Sequence, residues 1–387
     1  MNLRSAISLY SVSSPLQLLA AMEAANRIPA AKHILLIRTV NEERAQHMQQ
    51  MNSLLSLYAW DEILYWPRFK EKSLAGRIQA TSFIRRLARR YRDQCKNFLY
   101  GGFGWVKNHS LRSLLEPENV YMLDDGTATI HQHKAYLSKG VKLTSKVTNL
   151  YSNRGIRSWL TNLLYPIDQD RINGAITIFT SFDIQENQEA GVRVLKHSFE
   201  FIGQSSAEKQ YSGSSAFYFG SPLSEKKLMD STDEIEHIGA VYRYYSDKQV
   251  GLIYVSHRDD SEEKLKALER LGIEHINLDM PAELYFATEE ELPLHVASSS
   301  STALHNVTRI CREIKPLLFS IASHIKNSDR KRALEAVEDH YQAIGIPVLD
   351  RHNESWRRRN QQTGDSALKR MWLKGGIHGA DSSTKTE

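Results

Sequence analysis

The feature that most limits how this chain can fold is an alternation of short apolar runs with helical patterns, present twice and interrupted once by a polar, serine-rich segment. In the first half, residues 6–12, 33–38, 62–66, 96–100, 120–123 and 175–180 are apolar runs of strand length, and helical patterns at 16–26, 42–57 and 80–94 lie between several of them. Such alternation specifies a parallel sheet, because successive parallel strands need a crossover, usually a helix. Ser13-Ser14-Pro15 marks the first helix start, a hydroxyl N-cap followed by proline at or near the first helical position. Residues 203–215 read as an interdomain linker. The rhythm then restarts, with strands expected at 216–219, 251–255, 275–278, 292–297 and 316–321. Helices are expected at 230–245, 262–271 and 330–344, with a short one opened by Pro281-Ala282-Glu283 and another presenting Leu304 and Val307 on one face. The expected fold is α/β, with two doubly wound domains at 1–205 and 206–350 and a polar tail, 351–387, carrying Arg357-Arg358-Arg359 and partly disordered.

Composition supports that division. A chain of 387 residues that is 41% hydrophobic can bury more than one core. Its 50 basic and 45 acidic residues leave a charge of +5, too small for its length to indicate a general nucleic-acid binder. Cys95 and Cys311 are far apart, which excludes a disulfide framework or a cysteine-spaced zinc site and fits a reducing cytoplasm. Serines and Gln17 break the N-terminal apolar run, so 1–21 reads as strand, turn and helix rather than as a signal peptide, and no stretch is long and apolar enough to predict a transmembrane helix. Arg85, Arg86, Arg89, Arg90 and Arg92 surround Phe83, Leu87 and Tyr91, a basic amphipathic pattern that suits an anionic lipid surface as well as a solvated helix packed on a sheet. His131 and His133, two residues apart, do not share a helix face and so predict no metal site.

Doubly wound domains bind ligands outside the carboxyl ends of their strands, so the polar residues that follow each apolar run are the candidate site. In the first half Tyr121-Met122-Leu123 runs into Asp124-Asp125-Gly126. Two adjacent carboxylates separate in pKa, which suits one of them to accept a proton near neutral pH, and glycine permits the turn; Asp-Gly is also an ordinary turn pair. Gly101-Gly102-Phe103-Gly104 is a flexible loop that could line the same crevice. In the second half the equivalent positions are Gly220-Ser221-Pro222, Ser256-His257-Arg258, Glu283 and the run Ser298 to Thr302. Hydroxyls and amides at a helix N-terminus form a phosphate site. Each of these features also has a plain structural meaning: a turn, a strand-end histidine bonded to backbone, a glutamate favoured by a helix dipole, a serine-rich loop. Two Rossmann-like domains facing one cleft define the GT-B architecture.

The order of these motifs resembles that of the bacterial GT-B-type sialyltransferases, the group of lipooligosaccharide sialyltransferases and capsular polysialyltransferases, which share an acidic-acidic-Gly turn, a His-Pro and a Ser-Ser. Here the counterparts are Asp124-Asp125-Gly126, Ser256-His257-Arg258 and Ser301-Thr302, with Ser300-Ser301 an alternative register. Ser14-Pro15-Leu16-Gln17-Leu18-Leu19 resembles the Pro-x-Gln-Leu-Leu stretch of the lipooligosaccharide branch, and Pro281-x-Glu283 its Pro-x-Glu; the resemblance spans residues 5–310. Arg258 stands where that pattern has proline, and Thr302 where it has the second serine.

The resemblance implies inverting transfer of sialic acid from CMP-sialic acid to a hydroxyl of an acceptor glycan, in the cytoplasm or on the inner face of the membrane. It implies Asp124 as general base, with Asp125 the second candidate, His257 contacting or protonating the departing phosphate, and Ser300, Ser301 and Thr302 holding it. Glu283 would bond the ribose hydroxyls, Gly220 and Ser221 would pass close to the nucleotide, and Pro15, Gln17, Gly126 and Arg258 would complete the binding residues. A single phosphate can be met by a histidine, hydroxyls and a helix N-terminus, so neither cofactor nor metal is expected. Two alternatives stand beside this reading: the same fold with a hexosyl or Kdo donor, and a non-catalytic relative that binds a glycan or nucleotide. Acceptor, linkage and oligomeric state, a homodimer included, are not legible in the sequence.

Overall fold

The computed structural model of the chain describes residues 6–38, 45–70, 73–140, 165–204 and 208–350. The first sheet is built from β1 (Ile7–Val12), α1 (Pro15–Arg27), β2 (Lys32–Arg38), α2 (Ala45–Leu55), β3 (Glu62–Trp66), α3 (Leu74–Tyr91), β4 (Cys95–Tyr100), α4 (Val106–Leu115), β5 (Asn119–Leu123), α5 (Thr127–Ala135), α6 (Gln169–Ile172), β6 (Ile176–Thr180) and β7 (Val192–Lys196), with strand order β3-β2-β1-β4-β5-β6-β7. The second comprises β8 (Gln210–Phe219), α7 (Ser231–Ser246), β9 (Gly251–Val255), α8 (Glu262–Arg270), β10 (Glu274–Ile276), α9 (Ala282–Thr288), β11 (Glu291–Ser298), α10 (Ala303–Ile310), β12 (Lys315–Phe319), α11 (Ser328–Ala343) and β13 (Val348–Leu349), ordered β10-β9-β8-β11-β12-β13. All pairings between these strands are parallel. Both sheets therefore reverse direction beside their first strand, as doubly wound sheets do, and the chain has the expected α/β, GT-B type of fold with two Rossmann-like domains.

Local sequence accounts for the elements. All six residues of β1 are buried, as a central parallel strand requires, and the Ser14 hydroxyl caps α1 by accepting the Gln17 amide at 3.3 Å. α3 starts earlier than its arginine-rich half suggests, because Ser73 caps it through the Gly76 amide. Ile84, Leu87, Ala88 and Tyr91 of α3 turn inward while Arg85, Arg86, Arg89 and Arg90 stay outside. β8 begins at Gln210, inside the segment read as linker; these polar residues are the exposed end of a strand that pairs with β11 from Glu291. β7 and β13 were not legible because both are short and polar-flanked at a sheet edge. The tail 351–387 with its three arginines lies outside the described residues. Among the described residues no helix is long and apolar enough to cross a membrane.

The two domains share a continuous apolar core: Phe182 and Ile184 of the first belong to one buried cluster with Leu304, Val307 and Tyr341 of the second. Within the second domain a different kind of contact organises the strand ends. Lys264 of α8 is 5% exposed and its ammonium meets Glu234 at 2.6 Å, Asp260 at 2.8 Å and Glu225 at 3.0 Å, and donates to the Ser221 carbonyl at 3.1 Å. Burial alone would pull its pKa down, but the Asp260 and Glu234 carboxylates outweigh that and hold it above the ordinary value. Asp260 in turn accepts the His257 amide at 2.7 Å and the Tyr254 hydroxyl at 2.9 Å. Lys264 thus fixes the loops after β8 and β9 together. Removing one partner of a buried ion cluster leaves the others uncompensated, at about 3–5 kcal/mol. Lys264→Met is accordingly expected to lower the unfolding free energy by that amount in urea titration; a change below about 1 kcal/mol would show that the cluster does not hold the domain.

Candidate active site

Gln17, buried on the first turns of α1, forms the centre of the first-domain half of the site. Its Oε1 accepts the Ser13 amide at 2.8 Å and the Ser13 hydroxyl at 3.1 Å, which orients the amide so that Nε2 donates to Asp125 Oδ1 at 2.6 Å. Arg38 donates to the same Ser13 hydroxyl at 2.6 Å and lies 4.0 Å above the Trp105 ring. Gly101 makes room for this arrangement, since a Cβ there would stand 2.2 Å from the Gln17 side chain. Asp125 is half-buried, and its own amide donates to Thr129 Oγ1 at 2.9 Å. Pro15 is buried at the start of α1 and positions Gln17 through the helix.

Asp124 differs from its neighbour. Leu123 pairs with Phe179 across β5 and β6, so Asp124 leaves the sheet beside Thr180 and Ser181. It is 3% exposed, and its Oδ2 accepts the Ser181 amide at 2.7 Å and the Ser181 hydroxyl at 3.3 Å. That hydroxyl also lies 3.1 Å from Asn306 Oδ1 of α10, and Asn306 Nδ2 donates to Glu283 Oε1 of α9 at 2.7 Å. Asp124, Ser181, Asn306 and Glu283 therefore form a buried polar chain across the domain seam. Glu283 lies inside this chain; burial pushes its carboxyl pKa up, against the pull of the Asn306 amide. Ser181 and Asn306 belong to no motif, and nothing in the sequence marked them.

A second contact crosses the seam at the acidic turn. Gly126 has φ +67°, and a Cβ there would stand 2.6 Å from Thr302 Oγ1; the Thr127 amide donates to the same oxygen at 3.0 Å. Glycine is thus required both by the left-handed backbone and by the neighbouring domain. The Thr302 hydroxyl caps α5 of the opposite domain.

In the second domain, Ser298 pairs with Phe219, and Phe219 with Val255, so the loops after β8, β9 and β11 emerge together. Ser298 Oγ donates to the Phe219 carbonyl and accepts the amides of Ser300 at 3.3 Å and Ser301 at 2.9 Å. The Ser300 hydroxyl donates to Ser221 Oγ at 2.9 Å, bringing these two candidate residues together, while Ser301 Oγ accepts the Ala303 amide. Gly220 has a structural reason of its own: a Cβ would stand 2.4 Å from the Tyr254 hydroxyl. His257 is half-buried, and its Nδ1 accepts the Asp259 amide at 3.1 Å. A nitrogen that accepts carries no proton, so the neutral ring bears its hydrogen on Nε2. Burial, with the adjacent Arg258 charge, pulls the His257 pKa down to about 4.

No family model and no curated protein sequence matches the chain. Among solved structures, it is similar to the UDP-GlcNAc 2-epimerase of Methanocaldococcus jannaschii, at 10% identity covering 86% of this chain and 91% of that one, with a TM-score of 0.43. It is also similar to MurG of Acinetobacter baumannii, at 11% identity covering 95% and 93%, TM-score 0.43. A third is the E. coli heptosyltransferase WaaC with ADP-2-deoxy-2-fluoro heptose, at 9% identity covering 88% and 100%, TM-score 0.40. These similarities concern the overall fold and leave the roles of individual residues to the geometry.

The His257 geometry sets a pH dependence. With a folded pKa near 4 against an ordinary 6.5, the ring stays neutral through neutral pH and becomes a cation only as pH falls toward 4. NMR titration is expected to place its midpoint near 4, and this ring to leave nucleotide affinity flat between about pH 5.5 and 8. A midpoint near 6.5 would mean that the ring is solvated and free of the Asp259 contact.

Proposed function

We propose that the protein is a glycosyltransferase that moves a sugar from a nucleotide-sugar donor to an acceptor hydroxyl by a single inverting displacement, with no metal assigned to the donor phosphate. The observation that supports this reading is the placement of an oriented carboxylate, Asp125, outside the strand ends of one doubly wound domain, and of the paired Ser221 and Ser300 hydroxyls and a neutral histidine on the strand-end loops of the other. Access favours Asp125 over Asp124 as the base: Gln17 holds one oxygen of Asp125 in place, whereas Asp124 is buried under Ser181. Asp125 would take the acceptor proton as the hydroxyl attacks the anomeric carbon. The departing phosphate would receive the Nε2–H of His257 and the hydroxyl hydrogen bond of Ser221, which Ser300 orients by donating to it, with Arg258 supplying permanent positive charge.

For the donor, the motif series supports CMP-sialic acid. A different nucleotide sugar, hexosyl or Kdo, is the second reading, and one observation favours it: Arg258, where the sialyltransferase pattern has proline, adds a cation suited to a diphosphate. Incubation with CMP-sialic acid, CMP-Kdo, UDP-hexoses and ADP-heptose, followed by nucleotide release, separates them. CMP released from CMP-sialic acid alone supports the first; release from the others replaces it with the second. Binding without release from any donor would leave a glycan- or nucleotide-binding protein.

Asp125→Asn is expected to lower kcat by about 10²–10⁴ while nucleotide affinity stays within a few-fold, because a base contributes in the transition state. The same loss from Asp124→Asn with Asp125→Asn active would return the role to Asp124. The exposed arginines of α3, on the helix that also exposes Leu74 (56%) and Ile78 (51%) at its other end, are the surface through which we propose peripheral contact with anionic lipid. Salt-sensitive sedimentation with anionic but not neutral vesicles is the expected result, and no binding to either would remove that contact.

A further inference from the structure

The Asp124 side of the first domain holds one more group of polar side chains that the transfer reaction does not use. His197 follows β7, its amide donates to the Thr180 carbonyl at 3.0 Å, and its ring is stacked on Phe179 at 4.7 Å with Phe199 edge-on at 4.9 Å. The residue is 4% exposed, and neither ring nitrogen has a hydrogen-bond partner. One of them, Nε2, is 3.7 Å from Asp124 Oδ2. Around this ring stand Glu23 of α1, 2% exposed, and Glu200; one oxygen of each and one nitrogen of His197 all lie within 4.8 Å of one another.

The carboxylates are already oriented by other contacts. Glu23 accepts the amides of Phe201 at 2.9 Å and Ile202 at 3.1 Å, and Glu200 accepts the Ser198 amide and hydroxyl at 3.0 Å each. Each carboxylate oxygen has two acceptor sites, so these bonds leave capacity for a further partner. The gaps from ring to carboxylates carry no hydrogen bond, yet suit an ion bonded at about 2.0–2.2 Å to each ligand after a small inward shift. Three carboxylates, Glu23, Glu200 and Asp124, crowd one imidazole whose stacking on Phe179 fixes its plane.

We propose that Glu23, His197 and Glu200 form a binding site for a first-row transition dication of the Zn²⁺ type. An imidazole nitrogen with two carboxylates suits zinc, whereas Mg²⁺ prefers an all-oxygen octahedron and sheds its water reluctantly. The ion ties residues 197–202, which lead toward the second domain, to α1, and fixes the ring beside Asp124. Its role is structural, and it makes no contact with the donor phosphate.

The test is calorimetric titration of chelator-stripped, full-length protein with Zn²⁺ alone, with Mg²⁺ as control. One Zn²⁺ per chain is expected to bind saturably, with a rise in thermal midpoint, and Mg²⁺ to give neither. Glu200→Ala, at an exposed position that does not threaten folding, and His197→Gln are each expected to weaken Zn²⁺ at least about tenfold. If His197→Gln fails to fold by circular dichroism, Glu200→Ala alone decides. No saturable Zn²⁺ binding, or equal affinity in Glu200→Ala and the unaltered chain, overturns the site and leaves an imidazole among carboxylates. Since the readout is ion binding, the result stands whether or not the transferase reading survives.

Discussion

The structure depends most on a constraint at the seam between the domains: polar groups that are buried there must bond to one another. The chain from Asp124 through Ser181 and Asn306 to Glu283 answers that constraint, through Asp124 Oδ2, with side chains that follow β5 and β6 and others from α10 and α9. Leaving any one of them without its partner would cost about 1–3 kcal/mol, more for a charged group. Their bonds are directional, so the chain specifies one relative placement of two sheets that apolar packing alone would allow to slide. Phe182 packs on His305 at 4.6 Å beside this chain, and the ion pair of Lys134 with Asp339 at 2.8 Å and that of Arg309 with Asp183 lie at the rim. Exposed pairs of that kind add little by themselves, so the buried chain carries the specificity.

Within each domain the candidate groups are held in different ways. In the first, position passes through a relay of hydrogen bonds, from Arg38 and Ser13 to Gln17 and then to Asp125. In the second, it comes from charge: Lys264 gathers Glu225, Glu234 and Asp260, and Asp260 holds the His257 backbone. The second domain thus holds its strand-end loops on a rigid, electrostatically set framework. The first presents a carboxylate whose orientation is set by an amide.

Much of the fold was legible because it rests on periodicity. Ser14-Pro15 announced α1, and apolar runs announced the inner strands, since buried parallel strands must be apolar throughout. The edge strands β7 and β13 escaped because edges impose no such demand, and the polar start of β8 read as linker for the same reason. At the site, Asp124-Asp125-Gly126, Gln17 and His257 were each visible as residues at strand or helix ends. Their relations were not: Gln17 and Asp125 are 108 residues apart, and no local pattern encodes that bond. Ser181 and Asn306 are common polar residues whose importance lies only in what they touch. The different depths of the two aspartates depend on the register of β5 against β6, which sequence does not state.

Gly126 carries one further consequence. Its left-handed backbone and the hydroxyl of Thr302, which leaves no room for a methyl group, would reject any other residue even in a descendant that had lost all chemistry. The glycine of the acidic turn is therefore a signature of how the two halves dock.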